Sequence, residues 1–472
     1  MPHSVQTSRR IKIIGGTLCV WARAAFLLVV CVAVLFVTGK ATAQDAHYWT
    51  FQYGPRSSLL GGAVIGSAND ISATFYNPGA LSQAEVLTFA ISTDIFERSS
   101  VVLENGGGEG VDLGTSRTGT WPGLVAVPIK KNLFGSGVLA YSTLTRTRGN
   151  QNLGGIVILS GEDIPEDVDL DDIAGEVRFE GSFSDVWAGL SYSHAFGSHF
   201  GLGVTWYGAA RSQSRRRLTL SQVIATDHSG SINLFMTNGR YSTIRTLFKF
   251  GAFAAFGPVT GGLTLTTPSI HIAGSGRVGF NVSSFAPDSA SLATNVRTDL
   301  PATYKTPLSV GGGLGLQLGK ARLHASAEWY DRIDPYSVLQ AGDFRAQEPE
   351  DVTFTVDVVH ALDEVFNWAV GAEYAFSSNV NGHLSYYTDN TGLTDNIERT
   401  DLSIQSFDIN NTIFGADFIV GPVLITLGGG YGWGRKEDEQ LTDLLRQQDE
   451  DFRATFVYRS FRLLFGFEIN LN

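Results

Sequence analysis

Arg245, Leu247, Lys249, Gly251 and Phe253 alternate cations with apolar side chains at every second position, and Tyr207, Ala209 and Arg211 repeat the pattern forty residues earlier. Leu144, Arg146 and Arg148 form a third such set. On extended chain, residues two apart share a face. Such a face would hold an amphipathic anion: arginine pairs a carboxylate in two-point geometry and stays charged, while the apolar neighbours take the tail. Arg245 and Lys249 are the first candidates, with Phe253, Leu247, Arg211, Tyr207 and Arg146 around them. The bland alternative is that these cations pair with Glu328, Glu373, Asp94 or acids near the N-terminus to fill a polar interior.

Catalytic patterns dissolve on inspection. Residues 274–279 spell G-x-G-x-x-G, but no strand-turn-helix unit surrounds them. Asp167, Asp169 and Asp171 resemble the opening of a calcium loop, yet Asp172 stands where its glycine belongs and Arg178 where its bidentate Glu belongs. There is no G-x-S-x-G and no H-E-x-x-H. No enzyme, cofactor or resident metal is expected. His324 and His383 read as hydrogen-bonded fillers.

The elements that would position the cations follow from a two-residue rhythm. Thr412, Phe414, Ala416, Phe418 and Val420 share one face; Val423, Ile425, Leu427, Tyr431 and Trp433 share another, with only Gly421 and Pro422 between. Fourteen such segments start near Glu85, Arg117, Phe134, Glu176, His199, Arg240, Pro258, Thr294, Lys320, Asp363, Asn379, Ser403, Pro422 and Phe452. Short connections fall at 130–133, 197–198, 257–258, 318–319, 377–378 and 421–422. Long ones fall at 150–175, 274–293, 340–362 and 436–451. This is the pattern of a transmembrane barrel with short periplasmic turns and long outer loops, closed because an open sheet edge cannot survive in lipid. Trp121, Tyr141, Trp206, Trp329, Tyr374, Tyr386, Tyr431 and Trp433 are expected in aromatic girdles. Pro122, Pro128 and Pro268 each remove a ladder donor, so each marks a place where the wall could open sideways.

The ends of the chain fit this reading. Arg9, Arg10, Lys12 and Arg23 precede an apolar run at 24–37, and Ala41-Thr42-Ala43 offers a cleavage site, so residues 1–43 read as a secretory signal. Both cysteines, Cys19 and Cys31, lie within it, which excludes a disulfide or thiolate chemistry afterwards. Five of the 34 basic residues also lie there, leaving 29 against 46 acidic, a net charge of −17. That charge excludes a general nucleic-acid partner. Gly466, Ile469 and Leu471, with Phe461, Leu463, Phe465 and Phe467, resemble the C-terminal signal read by barrel-insertion machinery, although the chain stops on Asn472.

Residues 59–82, LLGGAVIGSANDISATFYNPGALS, resemble the plug that opens FadL-type outer-membrane barrels. Phe75, Asn77, Pro78 and Leu81 stand where the phrase F-x-N-P-A-G-L puts them, and Gly79-Ala80 reverses its Ala-Gly order. Asn77, Pro78 and Gly79 then read as a latch to the wall or as a purely structural N-terminal turn, and Gly61, Gly62, Gly66, Gly311, Gly313, Gly315 and Gly428 leave room for plug and wall to meet. Residues 300–311, 323–329, 369–374 and 383–387 are similar to that family's middle strands. The resemblance implies an all-β, 14-stranded antiparallel transmembrane barrel with an N-terminal plug: signal 1–43, plug 44–83, barrel 84–472, both termini periplasmic. It implies outer-membrane uptake of long-chain fatty acids or other hydrophobic small molecules through a lateral opening, by a monomer surrounded by outer-membrane lipid and lipopolysaccharide. The alternatives are a general diffusion porin and a non-transporting partner in secretion or attachment, like the PorV group.

Overall fold

The computed structural model describes residues 47–84, 88–104, 112–160, 170–393, 407–438 and 454–469. The signal-peptide reading, Asp167, Asp169 and Leu471 lie outside these residues. Twenty strands follow a short leading segment: β1 (Phe89–Glu104), β2 (Leu113–Leu133), β3 (Gly137–Ser160), β4 (Leu170–Phe196), β5 (Phe200–Ala225), β6 (Gly230–Phe256), β7 (Val259–Thr266), β8 (Ile270–Ala286), β9 (Ser289–Pro301), β10 (Ser309–Leu318), β11 (Ala321–Tyr330), β12 (Ile333–Leu339), β13 (Asp343–Arg345), β14 (Thr353–Thr355), β15 (Val358–Leu362), β16 (Val365–Ala375), β17 (Val380–Asp389), β18 (Ile409–Val420), β19 (Val423–Asp438) and β20 (Ala454–Ile469).

All ladders are antiparallel, and β1 pairs with β20 while β5 pairs with β6, so the main sheet closes on itself. It holds sixteen strands, not the expected fourteen. The difference arises at two interruptions. β6 pairs with β7 as far as Lys249 opposite Thr266, then with β8 from Thr246 opposite Ile270. Between them lies Pro268, which has no N–H to give. Across the gap, residues 302–308 separate β9 from β10, and Ser269 N donating to Thr306 O (3.2 Å) and Ala302 N donating to Gly274 O (3.2 Å) stitch the two breaks together.

A belt of outward apolar side chains marks where this cylinder meets lipid: Leu190 and Phe196 on β4, Leu202 and Trp206 on β5, Ile244 and Phe250 on β6, Leu263 on β7, Ile270 and Ile272 on β8 are all exposed. No described helix is long and apolar enough to cross a membrane; the crossing falls to the strands. Roughly ten tilted residues suffice to traverse the hydrocarbon, yet β4 and β6 run for 27 residues each. β3 to β6, β8 and β9 therefore project well beyond the belt. The stretches 150–175 and 274–293, expected as loops, are mostly strand in this projection, and the G-x-G-x-x-G at 274–279 sits in mid-strand on β8. Inside the projection, β12 and β15 pair, and β13 and β14 pair, packing Phe344 and Phe354 against Phe280 at 5.3 and 5.0 Å.

Phe250 and Ile232 are equally exposed on the outer face of β6, each at 47%, but only Phe250 lies within the belt. Phe250→Arg is expected to destabilise the barrel in lipid vesicles by about 2–4 kcal/mol. Ile232→Arg should stay within about 0.5 kcal/mol. Equilibrium denaturant unfolding distinguishes the two.

Candidate functional site

The leading segment threads the lumen. It carries two short helices, α1 (Pro55–Leu59) and α2 (Ala73–Tyr76), and a 3-10 turn (Pro78–Gln83). Its extended start is held from both sides. Asp389 accepts from Tyr48 N (3.1 Å), Trp49 N (2.8 Å) and Thr50 Oγ1 (3.0 Å). Opposite, Arg146 donates to Tyr48 O and Arg462 donates to Thr50 O at 3.0 Å. α1 is tied by Arg56, whose Nε donates to Glu373 Oε2 at 2.6 Å. Burial alone would lower the pKa of that guanidinium, but Glu373 and neighbouring carboxylates hold it above its ordinary value.

Asn77 is wholly buried and uses its amide in three directions: Nδ2 donates to Ile65 O and to Ala252 O of the wall, both at 2.9 Å, and Oδ1 accepts from Gly79 N at 3.0 Å. Pro78 follows at the first position of the 3-10 turn, where no N–H is needed. The turn sits in a cradle of wall glycines that sequence reading missed. A Cβ at Gly251 would collide with Asn77 Oδ1, one at Gly203 with Pro78 O, one at Gly201 with Gly79 O and one at Gly262 with Ile65 O. Gly66 meets Gly313 backbone to backbone, and Leu59 fills the space at Gly428, as the small-residue spacing suggests.

Arg245, Lys249, Arg211 and Arg146 face inward as parity requires, and each is engaged. Arg245 pairs with Asp185, donates to Thr306 Oγ1 at 3.1 Å and lies 5.0 Å from the ring centre of Tyr304, while Arg211 lies 4.1 Å from the same ring. Lys249 pairs with Glu328 at 3.7 Å and sits 4.7 Å over Phe75. Glu328 also accepts from Tyr330 Oη, Ser309 Oγ and Trp49 Nε1 at 2.7, 2.8 and 3.1 Å. Tyr207 donates to Thr74 O at 2.8 Å, and Leu247 and Phe253 are buried in the cluster between segment and wall. Arg148 departs from expectation: a bulge at Thr145/Thr147 reverses the alternation, leaving it exposed, with its guanidinium 5.1 Å over Trp121. Trp121 departs too, lying inward and buried instead of in a girdle. Among the described residues no group of three or more His, Cys, Asp or Glu could hold a metal ion.

A second break in the wall, among the described residues, lies between β2 and β3. β2 pairs with β3 only from Leu124 opposite Leu144 down to the turn. Above that point β2 stays with β1 and β3 with β4, so the strands part. The cause lies on β2, where Pro122 and the extra residue Gly123 shift the register against β1. Side chains replace the lost ladder bonds. Tyr53 Oη donates to Thr145 O and Arg117 Nη1 to Asn150 O, each at 2.9 Å. On the β1 side of the bulge, Ser92 Oγ accepts from Leu124 N (3.2 Å) and Gly54 N (3.0 Å). Directly behind the gap lies the aromatic cluster of Phe51, Tyr53, Phe75, Trp121, Trp187 and Tyr207. At the far end, Gly466 faces inward against Pro55, whereas Ile469 sits at the foot of the β1/β20 pairing, opposite Phe89.

Gly251→Ala should force the latch out of its cradle, costing about 1–3 kcal/mol, and Asn77→Ala should loosen it by removing three hydrogen bonds. Both are expected to raise ion conductance in planar bilayers above that of the unchanged chain. Single-channel recording measures it.

No protein-family model and no curated relative matches the sequence. Solved structures do. The Pseudomonas putida toluene transporter TodX is 12% identical, with a TM-score of 0.56 over 89% of this chain and 99% of that one. A Pseudomonas aeruginosa FadL homologue is 11% identical, with a TM-score of 0.53 over 92% and 100%. The CymD monoaromatic hydrocarbon channel is 8% identical, with a TM-score of 0.52 over 89% and 98%. These neighbours are FadL-family channels, and across most of its length the chain has their fold.

Proposed function

We propose that the chain is an outer-membrane channel that passes small hydrophobic compounds inward, with the leading segment as its plug and the gap between β2 and β3 as its lateral way out. The observation that carries this reading is the parting of β2 from β3 above Leu124 and Leu144, backed by an aromatic cluster. Each buried CH₂ favours an apolar site by about 0.8 kcal/mol, so a hydrophobic solute crosses an aqueous lumen poorly and needs a dry path that ends in lipid. A gap opening sideways provides that end. The packed segment argues against a water-filled porin, since its backbone crosses the lumen from Asp389 on one side to Ala252 on the other.

The comparison proteins divide between monoaromatic hydrocarbon channels and a FadL homologue, and this chain's lumen favours an uncharged cargo. Arg245 and Lys249 are matched by Asp185 and Glu328, so an incoming carboxylate would have to displace a built-in one. Leu247, Phe253 and the Trp187 and Tyr207 rings, 5.2 Å apart, lie in the cluster packed between segment and wall and make this part of the lumen apolar.

Two outcomes are expected. Deleting Gly123 together with Pro122→Val restores an unbroken ladder and is expected to abolish uptake of toluene by cells whose own hydrocarbon channels are removed, while leaving heat-modifiable gel migration intact. Unchanged uptake would overturn the lateral route. Replacing Arg245 and Lys249 by Gln together is expected to reduce uptake of oleate and of toluene equally, by several-fold, because it strips partners from Asp185 and Glu328. A selective loss of oleate would instead make these cations a carboxylate clamp.

A further inference from the structure

Above the apolar belt, on the outer face of the projecting strands, register gathers arginines that no lumenal role explains. Arg240 on β6 stands directly opposite Arg277 on β8, both exposed, and Arg216 on β5 lies one step diagonally from Arg240. Like charges directly opposite on one face of a sheet destabilise it. Among the described residues neither Arg240 nor Arg277 makes an ion pair. Arg216 faces Glu180 across β4–β5, and Arg178 is already taken by Glu176 at 2.7 Å, so the surplus cations are Arg240 and Arg277.

Their depth is shared. Arg240 lies sixteen residues above Phe256 at the foot of β6, Arg216 sixteen above Phe200 at the foot of β5, and Arg277 eighteen above Val259 at the foot of β7. Outward apolar residues run up to Ile244 on β6 and Ile272 on β8, and the next exposed large ones, Ile232 and Phe285, come only eight residues beyond Arg240 and Arg277. A line of hydroxyls follows at Ser184, Ser212, Ser242 and Ser275, paired in that order across β4, β5, β6 and β8, and the arginines come immediately above. Apolar rows, then hydroxyls, then guanidiniums reproduce the layers of an acylated, glycosylated, phosphorylated lipid from its chains upward. Arginine side chains also lean toward such a boundary.

We infer that Arg240 and Arg277, with Arg216 beside them, form an external site for the phosphate groups of an outer-leaflet glycolipid. Divided between two guanidiniums, one phosphate relieves their repulsion and fastens the projecting sheet to the membrane surface. The inference rests on the reading of the barrel as an outer-membrane protein. It is independent of cargo, so uptake assays and the measurement below fail separately.

The test is native mass spectrometry of the detergent-purified full barrel with bisphosphoryl lipid A, its dephosphorylated counterpart, or inorganic phosphate. The unchanged chain should retain bisphosphoryl lipid A and not the dephosphorylated form. R240Q with R277Q should weaken retention about tenfold. R240K with R277K, which keeps the charge, should retain most of it and guards against misfolding of the Gln variant. R332Q, on an exposed loop arginine paired with Asp334, should change nothing. Equal retention by the Gln pair, equal retention of the dephosphorylated lipid, or displacement of lipid A by millimolar inorganic phosphate would each overturn the proposal; the last would assign the site to free phosphate.

Discussion

Backbone hydrogen bonding governs this molecule. Within hydrocarbon no water can serve an orphaned N–H or C=O, so a sheet that closes on itself can lose ladder bonds only where side chains or another segment replace them. The two places where the ladder fails here are the parting of β2 from β3 and the breaks that divide β7 from β8 and β9 from β10. Each coincides with proline, and each is repaired differently. The β7/β8 and β9/β10 breaks bond to each other and turn Tyr304 inward beneath two arginines. The β2/β3 parting is repaired by Tyr53 of the leading segment and by Arg117 reaching across.

The leading segment is consequently part of the wall as much as its filling. It satisfies wall carbonyls at the gap, its own peptide groups end on Asp389, Arg146 and Arg462, and its turn is seated in glycines contributed by three neighbouring strands. A segment bonded on all sides cannot shift without disturbing the gap it helps to line.

The period-two pattern made the barrel legible because lipid imposes a strict apolar face. Where lipid ends, so did legibility. The upper halves of β3, β4, β8 and β9 carry Ser, Asn, Gly and Arg outward with apolar residues such as Ile156, Ile158, Phe285 and Val296 scattered among them, and so broken an alternation reads as loop, which is why 150–175 and 274–293 were expected to be irregular. Inward parity placed Arg245, Lys249 and Tyr207 correctly in the lumen, but a single extra residue at Thr145/Thr147 was enough to misdirect Arg148. Counting could not find such a bulge, since nothing in the residue types announces it. The glycine cradle was hidden for another reason: Gly201, Gly203, Gly251 and Gly262 look like strand glycines until the partner that crowds them is known. Glu328 was among the acids named as partners and does pair with Lys249, whereas Asp185 was beyond reach because it stands 60 positions from Arg245.

The pairing of β1 with β20, from Phe89 opposite Ile469 to Glu104 opposite Thr455, also sets an order of events. These are the first and last strands among the described residues, so the cylinder cannot be sealed until the last of them has been made. By then the leading segment must already occupy the interior, because Pro55 abuts Gly466 of the final strand and Arg462 grips Thr50. Residues 47–84 thus act as a mandrel around which the sheet is wound. A chain that zipped its seam first would trap this segment outside, with the aromatic cluster and the buried acids left facing an empty bore.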